Sequence, residues 1–138
     1  MQVKLTNLKA GDALPDHVCG PISRTTLALF AGGSGDHMPL HVDIDFARKV
    51  GLDDVFAHGM LSMAYLGQLL LKVTRQEGIR SYKTRFTAIT PVGATVKCSG
   101  TVLETFSESG DQLVRLALRT QLGDGTVTME GEAVIALA

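Results

Sequence analysis

Cysteine is scarce in this chain, and the two it has, Cys19 and Cys98, lie far apart and outside any CxxC spacing. That excludes a cysteine-built metal site and leaves two free, buried thiols as the expectation. Aromatic residues make up only 5%, no basic block occurs, and the formal net charge is −1. A nucleic-acid partner would need a positive surface and stacking rings, so that class is set aside. No apolar run reaches the length of a membrane span: the longest, Met60 to Val73, is broken by Gly67, Gln68 and Lys72. The opening MQVKLTNLKAGDALP also lacks a signal-peptide core. A cytoplasmic protein with no membrane partner is expected. No GxSxG is present and neither cysteine sits in an activating context, so nucleophilic catalysis has no support.

What is present fits one domain over residues 1–138, with 45% hydrophobic residues and enough length for a core without staples. His17 to Ile22 reads as a short strand. Ser23 is a candidate N-cap for a helix from Arg24 to about Ala31, and Gly32, Gly33 and Gly35 end it. Asp43 is a second N-cap candidate, for a short helix through Phe46, Ala47 and Val50 that stops at Gly51. From Gly59 to Gln76 the pattern is helical and apolar on nearly every face, which marks a helix buried in a core or an interface. After Gly78 the texture becomes extended, with runs at Ile79–Ala88, Ala94–Thr105, Leu113–Leu122 and Thr126–Leu137. Turn residues fall at Pro91-Val92-Gly93, Ser109-Gly110-Asp111 and Gly123-Asp124-Gly125. One apolar helix followed by an antiparallel meander predicts an α+β layout, with the sheet wrapped around the helix.

The chemistry concentrates in FAGGSGDHMPLHVDIDFA, residues 30–47. Asp36 and His41 stand five residues apart with Pro39 between them. In a helix that offset places them on different faces, and Pro39 disrupts a helix there in any case. A tight polar turn is the better reading, one that brings a carboxylate and an imidazole to one spot. Such a pair holds a water, takes a proton from it and returns a proton elsewhere, as hydration of a carbon–carbon double bond requires. Taken alone, Asp36 reads first as a turn residue bonding local amides; its company of His41, His58 and three glycines shifts that reading. Gly59 opens the apolar helix, where free amides favour a developing negative charge such as a thioester enolate oxygen. Alone it is equally a turn before the helix. Met38, His58 and Ser62 are further candidates for substrate contact, although packing is favoured for Ser62 and Tyr65. His17 has no partner in sequence and reads as a surface or strand residue.

Asp36, His37, His41, Asp43 and His58 are all possible metal ligands. Pro39 breaks the helical spacing of His37 and His41, and no glutamate sits between them as in HExxH. No metal site is expected.

Phe30-Ala31, Ser34-Gly35-Asp36, Pro39-Leu40-His41, Asp43 and Phe46-Ala47, followed by His58-Gly59-Met60-Leu61, resemble the MaoC-like dehydratases, which include the (R)-specific enoyl-CoA hydratases. Arg85-Phe86-Thr87-Ala88, Pro91-Val92-Gly93, Val96 and Gly131-Glu132-Ala133-Val134 resemble strands of that family. The resemblance implies a hot-dog fold, a curved antiparallel sheet around a long helix. It implies a homodimer or higher homo-oligomer acting on an acyl-CoA or acyl carrier protein thioester. The implied reaction is reversible syn hydration of a trans-2-enoyl-CoA to an (R)-3-hydroxyacyl-CoA, without metal or redox cofactor. It maps the water-activating pair onto Asp36 and His41, and the carbonyl-polarising amide onto Gly59. One departure stands in the turn itself: Met38 occupies the place of the family's usual asparagine. Two other readings share this fold, an acyl-CoA thioesterase and a non-catalytic acyl-thioester-binding subunit. Lys72, Arg80, Lys83 and Arg85 are unranked candidates for contacts to the carrier.

Overall fold

The computed structural model describes residues 7–137. Five strands form one antiparallel sheet in the order β1-β3-β4-β5-β2. They are β1 His17–Cys19, β2 Ile79–Phe86, β3 Val96–Glu108, β4 Asp111–Leu122 and β5 Val127–Ala136. Three helices precede β2: α1 Arg24–Ser34, α2 Ile44–Lys49 and α3 Gly59–Leu71. Helix α3 lies against β1, β2, β3 and β4, the helix-in-sheet arrangement expected of a hot-dog fold. The core is where they meet. Leu66, Leu69 and Leu70 of α3 are sealed against Val96, Val102, Val114, Leu116 and Ile135 of the sheet. Each such side chain removed from water contributes about 1.5–3 kcal/mol.

The sequence dictates these elements locally. Ser23 caps α1 by accepting the Thr26 N–H at 3.0 Å, and Asp43 caps α2 by accepting from Asp45 and Phe46. The β3–β4 hairpin closes on Ser109 and Gly110, both at positive φ, as a twist-matched two-residue turn demands. Because that turn is so tight, pairing runs to Glu108 and Asp111. Both strands are longer than the expected ends at Thr105 and Leu113.

Other boundaries move for equally local reasons. Helix α1 continues through Gly32 and Gly33 to Ser34 and ends only at Gly35, in the left-handed conformation, whose N–H bonds Ala31. Helix α3 stops at Leu71 instead of Gln76, because the chain turns away and Thr74 donates to the Ala136 carbonyl at the end of β5. Strand β2 ends at Phe86, two residues early, where the Thr87 and Ala88 amides converge on the Thr128 carbonyl. Strand β1 stops at Cys19, where Gly20 turns at φ 112°. Strand β3 begins at Val96, because Ala94 is held in a turn by Pro91.

Strand β2 passes very close to β5 at Gly131. A Cβ at that position would stand 2.2 Å from the Lys83 carbonyl of β2, so only glycine permits the approach. On α3 the apolar surface is only partly consumed by the sheet, since Met60 and Leu71 remain about half exposed. No helix among the described residues is long and apolar enough to cross a membrane. Both cysteines are free. Cys98 is buried, its thiol pushed up to about 12 by burial, whereas Cys19 is only half-buried.

Candidate active site

Asp36 and His41 are brought together by the turn between α1 and α2. Gly35 ends α1, the Asp36 N–H bonds the Ser34 hydroxyl at 3.1 Å, and Asp36 Oδ1 accepts the Met38 N–H at 3.3 Å. Pro39 then opens a single 3₁₀ turn through His41, its fixed φ suiting the first position. Met38 contributes a main-chain bond to this turn, and its side chain is 44% exposed. The expected polar turn therefore exists, as an Asx-type bend leading into 3₁₀ geometry.

The hydrogen bonds settle the tautomer of His41. Its Nδ1 lies 2.7 Å from the Phe56 carbonyl. A carbonyl only accepts, so Nδ1 carries the proton and the neutral ring keeps its lone pair on Nε2. That Nε2 faces Asp36 Oδ2 at 3.9 Å. The gap is too long for a direct bond, but an oxygen about 2.8 Å from both atoms would subtend about 90° between them. Two acceptors facing each other in this way can hold a water by both its protons and leave its oxygen lone pairs free. His41 is 8% exposed, whereas Asp36 is open to solvent and lines the adjoining cavities.

His58 sits behind the pair. It is 1% exposed, its Nε2–H donates to the Asp36 main-chain carbonyl at 3.1 Å, and its ring stacks on His41 with centroids 4.0 Å apart. Phe30 packs against the same ring in an edge-type contact, centroids 4.9 Å apart. Burial lowers the His58 pKa below its ordinary value of 6.5, so the ring is held neutral. Nδ1 of His58 and the Ser62 hydroxyl are buried without a hydrogen-bond partner.

The ligand atoms of Asp36, His41 and His58 all lie within 4.8 Å of one another. The two rings stack, and an ion taking His58 Nε2 would displace its bond to the Asp36 carbonyl.

Two cavities flank Asp36 and Met60. One, of ≈ 400 Å³, is bounded by Phe56, Gly59, Ser62, Phe86 and Thr90. The other, of ≈ 540 Å³, runs along α3 over Met63, Ala64 and Gly67 to Tyr82 and Phe30. Gly59 is the first residue of α3, so its N–H has no partner inside the helix. A Cβ there would stand 2.8 Å from the Phe86 ring. Ser62 thus borders the first cavity, while Met38 and His58 line neither.

The remaining candidates lie elsewhere. His17 is half-buried on β1, its Nε2 2.9 Å from Gln68 Oε1 and 3.1 Å from Cys19 Sγ. Tyr65 packs against the core. Lys72, Arg80, Lys83 and Arg85 are exposed, with Arg80 paired to Asp111 and Arg85 to Glu130. Sequence reasoning did not find the Phe56 carbonyl, which orients His41. A main-chain acceptor fifteen residues away carries no side-chain signal.

Known proteins resemble this chain in sequence and in fold. A 3-hydroxyacyl-thioester dehydratase of Mycobacterium tuberculosis is 30% identical over 118 residues, which span 81% of this chain and 74% of that protein. An (R)-specific enoyl-CoA hydratase of Rhodospirillum rubrum is 32% identical over 118 residues, 83% of this chain and 78% of that one. Among solved structures, the unliganded R-hydratase PhaJ1 of Pseudomonas aeruginosa superposes with a TM-score of 0.82 at 30% identity, covering 95% of this chain and 82% of its own. The family model for the MaoC-like domain matches residues 9–123. With the sheet-wrapped helix and the Asp–Pro–His turn both in place, this chain belongs to the MaoC-like domain family.

Proposed function

We propose that this protein is an (R)-specific enoyl-thioester hydratase, running reversibly as a 3-hydroxyacyl-thioester dehydratase. The observation that carries this reading is the pair of acceptors, Asp36 Oδ2 and His41 Nε2, facing each other 3.9 Å apart beside a cavity. The relatives named as hydratase and dehydratase support it.

In hydration, the thioester carbonyl oxygen takes the Gly59 N–H, which withdraws charge from C3. A water held by Asp36 and His41 gives one proton to the pair as its oxygen bonds C3. The C2=C3 π electrons move to the enolate, whose negative oxygen is held by the same amide. The pair then returns a proton to C2 on the same face. One O–H bond breaks, one C–O and one C–H bond form, and no cofactor enters. Positioned proton transfer of this kind contributes about 10²–10⁴-fold. Ser62, at the edge of the first cavity, and Met38, on the turn, are kept as contacts to the substrate. The carrier is CoA or an acyl carrier protein.

The working form is a cytoplasmic homodimer. Strand β2 has β5 on one side only, and the apolar Met60, Phe86 and Ile89 are each more than half exposed beside it.

The test follows loss of enoyl-thioester absorbance and release of free thiol in parallel, over enoyl-CoAs of rising chain length. Absorbance loss without thiol supports the hydratase. Thiol release without hydration makes the protein a thioesterase. Binding with neither reaction makes it a non-catalytic acyl-thioester subunit, the reading that the Met38 departure supports.

A further inference from the structure

Asp36 stands on an exposed turn that follows a left-handed glycine, and its local bonds to Ser34 and Met38 tie it only to its own neighbours. Further along the turn, the Leu40 carbonyl accepts the Phe56 N–H at 3.2 Å; Asp36 itself is tied to a distant segment by the bond from His58 Nε2–H to its carbonyl, across 22 residues of sequence. The His41 ring is likewise pinned at one nitrogen by Phe56, which still allows the ring plane to tilt about that bond. Two rings pack against that plane: Phe56 at 83° with centroids 4.9 Å apart, and His58 stacked at 4.0 Å. His58 therefore touches both members of the pair while lining neither cavity.

From this geometry we infer that His58 is a positioning residue: it sets the spacing between the Asp36 carboxylate and the His41 imidazole by bonding the turn that carries one and stacking on the ring of the other. This rests on the hydratase reading for its kinetic consequence. The arrangement requires a neutral His58, because a cation stacked 4.0 Å from His41 would oppose the positive charge that His41 gains on taking a proton. Its buried surroundings, with Phe30 against one edge and no bonding partner at Nδ1, supply that condition.

Three variants separate the two contacts. H58Q keeps an N–H near the position of Nε2 and loses the ring. H58F keeps a ring against His41 and loses the donor. H58L keeps bulk and loses both. Each is first checked for folding by thermal melting. Displacement of reacting groups by about 1 Å costs on the order of 10²-fold. The expected result is therefore a fall in kcat of about 10–100-fold in H58F and H58L with KM within about threefold, and recovery in H58Q to within about fivefold of the parent. A folded H58F or H58L with kcat within about threefold of the parent overturns the inference, as does an H58Q no better than H58L.

A parent protein that hydrates no enoyl-CoA removes the function reading instead. The positioning claim is then read from crystal structures of the parent, H58Q and H58L. A separation between Asp36 Oδ2 and His41 Nε2 that stays near 3.9 Å in the parent and in H58Q but changes by about 1 Å in H58L supports the claim. A separation unchanged in H58L overturns it.

Discussion

At the scale of residues, the turn holds two stacked imidazoles in different bonding states. His41 is oriented by a carbonyl and keeps a lone pair toward Asp36. His58 spends its N–H on the turn and is kept neutral by burial. The neutrality of His58 has a measurable consequence for stability. In the unfolded chain His58 takes up a proton below its ordinary pKa of 6.5, whereas in the folded protein it resists protonation to a lower pH. The unfolded state then binds more protons, so stability falls as pH drops below 6.5. Urea titrations at pH 7.5 and pH 5.5 should show this loss in the parent, and a smaller one in H58Q. Gly59 offers a second prediction. A methyl group there meets the Phe86 ring at 2.8 Å, a side chain that yields more readily than backbone. Gly59→Ala should therefore fold normally but narrow the first cavity and lower kcat/KM by about tenfold, read from steady-state hydration rates.

At the scale of elements, the sheet depends on one position more than on its strand propensities. Gly131→Ala places a Cβ 2.2 Å from the Lys83 carbonyl, a backbone atom that moves only if β2 moves. The expected cost is about 3 kcal/mol or more, measured by chemical denaturation, against about 1 kcal/mol for removing the α2 cap in Asp43→Ala. The order of elements was legible in the sequence because its signals are local: Ser23 and Asp43 as caps, Ser109-Gly110 as a turn, apolar runs alternating after Gly78. The ends of α1, α3 and β2 were not, because each is decided by a bond to a distant segment or by a glycine pair tolerated inside a helix. Thr74 reaching Ala136, and the Thr128 carbonyl drawing two amides, exist only once the sheet has formed. The site divides in the same way. Asp36, His41 and Gly59 were named from residue type and spacing. The tautomer of His41 rests on a main-chain carbonyl, and the burial of His58 on Phe30, neither of which a linear pattern displays.

At the scale of the whole molecule, the first cavity is lined by the exposed Met60, Phe86 and Ile89, and β2, which carries Phe86, is an edge strand. A second copy covering that surface should give a solution mass of twice one chain, measured by light scattering at micromolar concentration; a monomer there would remove the dimer from the proposal. The central claim concerns the water between Asp36 and His41, and the most direct measurement is the hydration rate of a short trans-2-enoyl-CoA by the parent, Asp36→Asn and His41→Gln, all verified as folded. The predicted result is a parent that consumes the enoyl absorbance without releasing thiol, and two variants slower by about 10²–10⁴-fold. Near-parental hydration by both folded variants would contradict the account.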